Sequence, residues 1–197
     1  MSRPDVDTLD LPPDPSASCE PLAVYYDAEF TDLTSDSDLL SIGFVAADSS
    51  AELYIEIADA NFAIASHFVR TEVMPLFGQH NPVVLTRYKA AERIAEWLDG
   101  LREGDRQRQI IMVSDSQWDW MHFLELFPAS NPDEPSWAAQ FDLVGRMVHQ
   151  MLECGRHQAA FDQELEAYFW QHKPRHHALV DARGLKAAWE RSRWPGL

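Results

Sequence analysis

The sequence has no long apolar run and is poor in cysteine. No stretch is apolar enough over about 20 residues to span a bilayer, and the first residues form no apolar segment of the signal-peptide kind. The 2 cysteines, Cys19 and Cys154, are too few for a disulfide framework, and free thiols suit a reducing compartment. We therefore expect a cytoplasmic protein.

Basic side chains are also scarce. The 16 lysine and arginine residues stand against 32 acidic residues, which gives a formal net charge of −16. A protein that binds nucleic acid mainly by neutralising phosphates is normally basic, so this balance argues against tight, non-specific duplex binding. It leaves open an enzyme that meets phosphates through bound metal ions, because those ions are then the largest local charges.

Proline and aspartate are frequent in residues 1–20, where apolar side chains are few. This composition predicts a disordered acidic tail. The remaining residues, 21–197, are enough for a single folded domain with a sizeable core.

Hydrophobic patterning predicts the secondary structure of this domain. Strands are expected at Leu22–Tyr26, Leu39–Ala47, Ala51–Ile57 and Ile110–Val113. Helices are expected at Phe68–Leu76, Thr86–Leu101, Gln117–Phe127, Phe161–Trp170 and Ala178–Arg191. Strands with hairpin character followed by alternating strands and helices indicate an α/β domain with a mixed central sheet flanked by helices. Functional sites in such domains tend to lie at the strand ends.

Two carboxylates, Asp27 and Glu29, stand at the end of the first predicted strand. Side chains at i and i+2 of a strand point to the same side, so these like charges repel unless a cation or protons intervene. The pair therefore indicates a metal site. The alternative is an ordinary acidic turn at the end of a strand.

Two aspartates, Asp115 and Asp119, follow the predicted buried strand Ile110–Val113. Asp115 is in position to cap the next helix, and Asp119 would favour the positive N-terminal end of that helix. Asp119 is flanked by two tryptophans, and a carboxylate in such surroundings needs a partner. Asp119 is therefore a candidate ligand.

His176 and His177 precede Asp181 near the C-terminus. A histidine here could supply a general base beside a metal ligand, or the two could form a solvated basic patch with Lys173 and Arg175. His177 and Asp181 share one face of a regular helix, whereas His176 lies about 140° away. Helix geometry alone therefore favours His177 as the base.

The three stretches in this order resemble the motifs of the DEDDh exonucleases, which have a ribonuclease H-like fold. The matching elements are D-x-E at residues 27–29, the aspartate at 119 and H-x-A-x-x-D-A at residues 176–182. Leu40–Val45 and Val69–Met74 further resemble a bacterial, chiefly actinobacterial, branch of small 3′→5′ exoribonucleases. The resemblance runs from about residue 22 to residue 189.

The resemblance implies a role for each residue. It makes four carboxylates the metal ligands: Asp27, Glu29, Asp119 and Asp181. It makes His176 the general base, which requires His176 to lie in the turn before the helix, and Pro174 suits that placement. Asp115 stands where the family has asparagine, so Asp115 is an alternative ligand to Asp119.

The implied reaction is hydrolysis of a phosphodiester at the 3′ end of single-stranded or 3′-overhang RNA, with release of nucleoside 5′-monophosphates. Two metal ions about 3.5–4 Å apart stabilise the attacking and the leaving oxygen in such a site, and Glu29 helps to hold the ion that activates water. Oxygen ligands suit Mg²⁺ or Mn²⁺. Phe30 is a candidate for stacking on the terminal base, or for a core role. The likeness also implies a homodimer.

Three other functions fit parts of the sequence. A 3′→5′ DNA exonuclease would use the same residues. A non-catalytic module that binds nucleic acid or protein could have the same fold. A metal-free acidic interaction protein would account for the charge but would leave the motifs as coincidence.

Overall fold

A computed structural model describes residues 20–48, 51–102, 108–128, 143–152 and 155–192. Both cysteines and all of the predicted acidic tail except Glu20 lie outside these residues. The described strands form one six-stranded sheet with the order β4-β3-β2-β1-β5-β6. They are β1 (Leu22–Phe30), β2 (Leu39–Ala46), β3 (Glu52–Ile57), β4 (Val83–Leu85), β5 (Ile110–Ser114) and β6 (Leu143–Met147).

The sheet is mixed, with β1 near its centre. β1 pairs with β2 in antiparallel orientation and with β5 in parallel orientation. β2 and β3 form an antiparallel hairpin, while the edge strands β4 and β6 run parallel to β3 and β5. The predicted α/β domain with a mixed central sheet is thereby confirmed.

Helices cover the sheet. The described α-helices are α1 (Arg87–Leu101), α2 (Gln117–Glu125), α3 (Val148–Met151), α4 (Gly155–Gln171) and α5 (Ala178–Ser192). Short helical segments at Phe62–Ile64, Val69–Val73 and Met74–Leu76 precede β4. In the described part of the chain no helix combines the length and the apolar character that a membrane crossing requires.

Three elements differ clearly from their sequence prediction, and one of them, α4, begins at Gly155 rather than at Phe161. β1 continues past Tyr26 to Phe30, because Asp27 and Glu29 are themselves paired with β2. The helix expected at Phe68–Leu76 is instead a π-helical segment followed by a 3₁₀ segment that contains Pro75. Proline lacks the N–H that a continuing α-helix needs, which accounts for the break.

The edge strands were not predicted. β4 has only 3 residues, too few for a periodic pattern. β6 contains Gly145 and Arg146, which are uncommon in the apolar runs that predict strands. Both strands depend on pairing with a neighbour for their extended conformation.

Alternation along β1 separates two cores. Leu22, Val24, Tyr26 and Ala28 face α1 and α2 and belong to the larger core. On the opposite face Tyr25 packs in a second core that α4 and α5 complete. Because successive side chains of a strand point to opposite faces, Asp27 and Glu29 share the face of Tyr25 and lie under α5.

A glycine allows α5 to approach the sheet. Gly43 in β2 is the cross-strand partner of Asp27. A Cβ atom at Gly43 would lie 2.5 Å from Leu179 Cα and 2.6 Å from the carbonyl carbon of Ala178. The first turn of α5, which carries Asp181, therefore rests directly on the backbone of β2.

We expect Gly43→Ala to lower the free energy of unfolding by about 1–3 kcal/mol, because the added methyl group meets helix backbone that cannot rotate away. Urea denaturation measures this change. Gly100→Ala is the matched control, since Gly100 is exposed in α1 and a Cβ there meets nothing within 4 Å. The free energy of unfolding of the control should rise by about 0.5–1 kcal/mol. Equal stability of the Gly43 variant and the wild type would contradict this account of the contact.

Candidate metal centre

A cleft of about 270 Å³ opens where β1 and β5 end and α5 begins. β1 and β5 are parallel neighbours, so their carboxyl ends meet at the same edge of the sheet. The described residues that line the cleft include five carboxylates: Asp27, Glu29, Asp115, Asp119 and Asp181. All four predicted carboxylate ligands and the alternative, Asp115, are thus brought into one site.

Strand register places Asp115 beside Asp27. Tyr25 of β1 is aligned with Val113 of β5, and both side chains belong to the core under α4 and α5. Asp115 follows the last residue of β5, and its carboxylate lies within 4.8 Å of those of Asp27 and Asp119. The tertiary structure therefore adds a carboxylate to the site that sequence reasoning treated as an alternative.

Asp115 does not cap α2, contrary to the simplest reading of the sequence. Ser116 is the N-cap residue, and its Oγ accepts a hydrogen bond from Trp118 N at 3.1 Å. The Asp115 carboxylate is therefore not used for capping and lines the cleft.

Asp119 is the most enclosed of the five carboxylates. It lies in the first turn of α2 and is only 2% exposed. The backbone N–H groups of Ala28 and Ser116 donate hydrogen bonds to its carboxylate. The oxygen Oδ2 is nevertheless buried without a hydrogen-bond partner among the described residues. A buried, unpaired carboxylate oxygen is costly, so Oδ2 is a position where a cation would be stabilising.

Asp181 lies in the first turn of α5 and faces the turn that precedes this helix. Its Oδ2 accepts a hydrogen bond from the backbone N–H of His176 at 3.0 Å, while Oδ1 is buried without a described partner. His176 has a φ of 62°, a left-handed conformation uncommon for residues other than glycine. His176 thus lies outside the regular helix, in the turn that its predicted role requires.

The two adjacent histidines have different surroundings. His176 lines the cleft, and its ring centroid lies 4.9 Å from that of Phe68. His177 is 1% exposed, and its ring packs against Tyr54 and His80 at centroid distances of 4.5 and 4.7 Å. Burial lowers the pKa of His177 to about 4. His176 is therefore the one of the two that faces the carboxylates.

Among the residues that the structure describes, two groups of side chains have the spacing to hold a metal ion. One joins Glu29, His176 and Asp181, and the other joins Asp27, Asp115 and Asp119. Within each group the ligand atoms lie within 4.8 Å of one another. The carboxylates of the site could therefore bind metal, in two neighbouring positions.

Burial and mutual repulsion raise the pKa of these acids. The pKa values of Asp27, Glu29 and Asp119 all lie well above the ordinary range. Burial is the larger cause, and the neighbouring carboxylates raise these pKa values further. Burial raises the pKa of Asp181 to about 7, although the His176 N–H and Arg175 act in the opposite direction. Full ionisation of the site is unfavourable unless cations neutralise it.

Phe30 lines the cleft at the end of β1. The centroid of its ring lies 4.8 Å from that of the His122 ring. His122 is itself hydrogen-bonded to Ser37 Oγ at 2.9 Å and to Glu125 Oε2 at 3.0 Å. The predicted stacking residue is thus placed beside the carboxylates. Its role stays a prediction.

The sequence reasoning gave no site role to several other residues that line the cleft, among them Leu33, Phe169 and Arg175. Leu33 and Phe169 belong to no motif. Arg175 looked like part of a solvated patch, and its position next to His176 was the only signal that it belongs to the site.

No protein-family model matches the sequence, and no curated protein matches it either. One solved structure, described as the 3′-end-specific recognition of a histone mRNA stem-loop by a 3′-exonuclease, has a similar fold, with a TM-score of 0.53 at 9% sequence identity. The match covers 88% of this chain and 63% of that one, so this chain spans less than two thirds of its length. At this identity the likeness concerns the fold alone: the chain shares the arrangement of a mixed sheet flanked by helices with that structure.

Proposed function

We propose that this protein is a metal-dependent 3′→5′ exonuclease that acts on single-stranded or 3′-overhang RNA and releases nucleoside 5′-monophosphates. The proposal rests mainly on one observation: two neighbouring groups of metal-ligand spacing share a single cleft of an exonuclease fold. A cytoplasmic location and a homodimer remain predictions from the sequence.

The chemistry of the donor set fits two divalent cations. Asp119 Oδ2 and Asp181 Oδ1 are buried and lack described partners, and they belong to different ligand groups. One cation in each group would give both atoms a partner. Carboxylate oxygens predominate, which favours Mg²⁺ or Mn²⁺ over zinc.

Each residue then has a definite part. Glu29 and Asp181 would hold one ion, and Asp27 and Asp119 would hold the other. Bound divalent ions would generate a hydroxide nucleophile near neutral pH and stabilise the attacking and leaving oxygens. His176 accepts the proton of the attacking water. Burial lowers the pKa of His176, so the ring is neutral and able to accept a proton at pH 7.

One observation favours RNA as the substrate, and a second favours an unpaired end. The structure with the similar fold is described as a 3′-exonuclease bound to a histone mRNA stem-loop. In addition, Phe30 offers a fixed aromatic surface beside the carboxylates, and stacking on aromatic side chains is the usual way in which unpaired bases are held.

Labelled oligomers test the activity. With Mg²⁺ or Mn²⁺ we expect RNA labelled at its 5′ end to shorten stepwise and RNA labelled at its 3′ end to release a labelled mononucleotide, and EDTA should stop both. Asp27→Asn should abolish shortening, because it removes a carboxylate from one of the two ligand groups. Asp162→Asn, on the exposed side of α4, is the matched control and should keep full activity.

The same assay with DNA oligomers decides the substrate. Faster shortening of DNA than of RNA would replace the RNA proposal with a DNA exonuclease. If neither RNA nor DNA is shortened in a metal-dependent way, the enzyme hypothesis is wrong. A non-catalytic binding module would then be the remaining proposal.

The two histidines provide a second prediction. His176→Gln should lower kcat by about 10²–10⁴-fold, because it removes the general base. His177→Gln should leave kcat close to the wild-type value and lower the thermal stability instead, because the ring packs against Tyr54 and His80 away from the cleft. Single-turnover kinetics and thermal unfolding separate the two effects. The opposite pattern would make His177 the base.

The raised pKa values predict how stability depends on pH when divalent ions are absent. A carboxyl group whose pKa is higher in the folded than in the unfolded state favours folding while it is protonated, and this contribution is lost as pH rises through the folded pKa. For Asp181 the loss should fall between about pH 4 and pH 8, because its folded pKa is about 7. Stability in EDTA should therefore decrease over this range, and Mg²⁺ should restore it at pH 8.

Asp181→Asn isolates this contribution. In EDTA the variant should be more stable than the wild type at pH 8, should lose less stability between pH 5 and pH 8, and should gain less from Mg²⁺. Asp162→Asn should keep the wild-type slope, because Asp162 is exposed. Urea denaturation at each pH provides the measurement, and identical slopes for wild type and Asp181→Asn would contradict the prediction.

A further inference from the structure

Arg175 is the only lysine or arginine among the described residues that line the carboxylate cleft. The five carboxylates of the cleft carry more negative charge than two divalent ions neutralise. A phosphate entering the loaded site would therefore meet a residual negative charge. The guanidinium of Arg175 offsets that charge, and it is permanently ionised.

The Arg175 side chain is held at the edge of the cleft by α4. Its guanidinium carbon lies 4.5 Å from the centroid of the Phe169 ring, and its Nη1 lies 3.1 Å from Glu166 Oε1. Arg175 is 47% exposed and Glu166 is 67% exposed, so this ion pair is weak in water. A guanidinium has five N–H donors, and Glu166 is its one acceptor among the described residues. Donors are therefore left for a ligand.

Arg175 lies beside both candidate ligand groups. It lines the same cleft as Asp181, which belongs to one group, and Asp115, which belongs to the other. It directly precedes His176, whose backbone N–H donates a hydrogen bond to Asp181 Oδ2 at 3.0 Å. Arg175 thus stands near the place where a phosphate in the cleft would lie.

We propose that Arg175 binds the phosphate of the 3′-terminal nucleotide, both in the RNA substrate and in the nucleoside 5′-monophosphate product. This inference rests on the proposed function and extends it. Arg175 then supplies the cationic contact that this acidic protein otherwise lacks in the cleft, and stacking on Phe169 fixes the guanidinium plane for a two-point hydrogen bond to phosphate.

A purely structural role for Arg175 makes a different prediction. If the residue only fastens the turn before α5 to α4, then breaking the ion pair from either side has the same effect. If it binds phosphate, removal of Glu166 frees the guanidinium and leaves binding intact or tighter. Arg175→Gln and Glu166→Gln therefore differ in their effect on substrate binding only if Arg175 binds phosphate.

Steady-state kinetics on a single-stranded RNA oligomer with Mg²⁺ test the inference. Arg175→Gln should raise KM about tenfold or more, the usual effect of losing a charge-assisted hydrogen bond. It should also reduce the slope of log KM against log salt by about 0.7, as expected for one lost contact to a single strand. Glu166→Gln should leave KM unchanged or lower it.

Arg191→Gln is the matched control. Arg191 on α5 pairs with Glu164 on α4 at 3.7 Å, does not line the cleft, and should leave KM and the salt slope at their wild-type values. An unchanged KM in Arg175→Gln, or an equal loss in Arg175→Gln and Glu166→Gln, would overturn the inference.

Product binding separates this inference from the proposed function. Calorimetry with Mg²⁺ should show that Arg175→Gln weakens binding of adenosine 5′-monophosphate and leaves binding of adenosine, which has no phosphate, unchanged. If the wild-type protein shortens no oligomer, the exonuclease proposal fails, and this titration alone decides the role of Arg175. Equal affinity of wild type and Arg175→Gln for the monophosphate would then refute it.

Discussion

Five carboxylates share one cleft at the carboxyl ends of β1 and β5, and their mutual repulsion is the constraint to which the surrounding structure responds. Burial makes each charged form costly, and the neighbours increase the cost, so the pKa values of Asp27, Glu29 and Asp119 are raised. Such a cluster is unfavourable for an isolated domain. Divalent ions bound there would make it favourable, and metal binding would then be coupled to folding of the site.

The packing around the cleft holds these charges in place. Gly43 lets the first turn of α5 rest on β2, which brings Asp181 over β1. The apolar cores on both faces of the sheet fix β1 and β5, so the carboxylates cannot move apart to relieve their repulsion. The overall net charge of −16 is compatible with the proposed binding of a nucleic acid end, because only the cleft, with the proposed ions and Arg175, needs to be attractive to phosphate.

Much of the fold could be predicted because side-chain periodicity is a local property. The apolar runs at Leu22–Tyr26 and Ile110–Val113 identified the two strands that position the site, and α1 matched its predicted span except for the cap residue. The edge strand β4 could not be predicted, since its 3 residues are extended only by pairing with β3. The boundary of β1 was also missed, because acidic residues in a strand resemble a turn until their partners in β2 are known.

For the site, local patterns in the sequence predicted which residue types stand at the strand and helix ends, and the motif order then indicated Asp27, Glu29, Asp119 and Asp181. The tertiary structure added Asp115 to this set, and it placed His176, the histidine that the resemblance indicates, in the cleft. It also placed Arg175 at the edge of the same cleft. The physical reason is that a residue pattern encodes local conformation and the face on which a side chain lies. The distance between side chains far apart in sequence is set by strand register and by how closely α5 packs on the sheet.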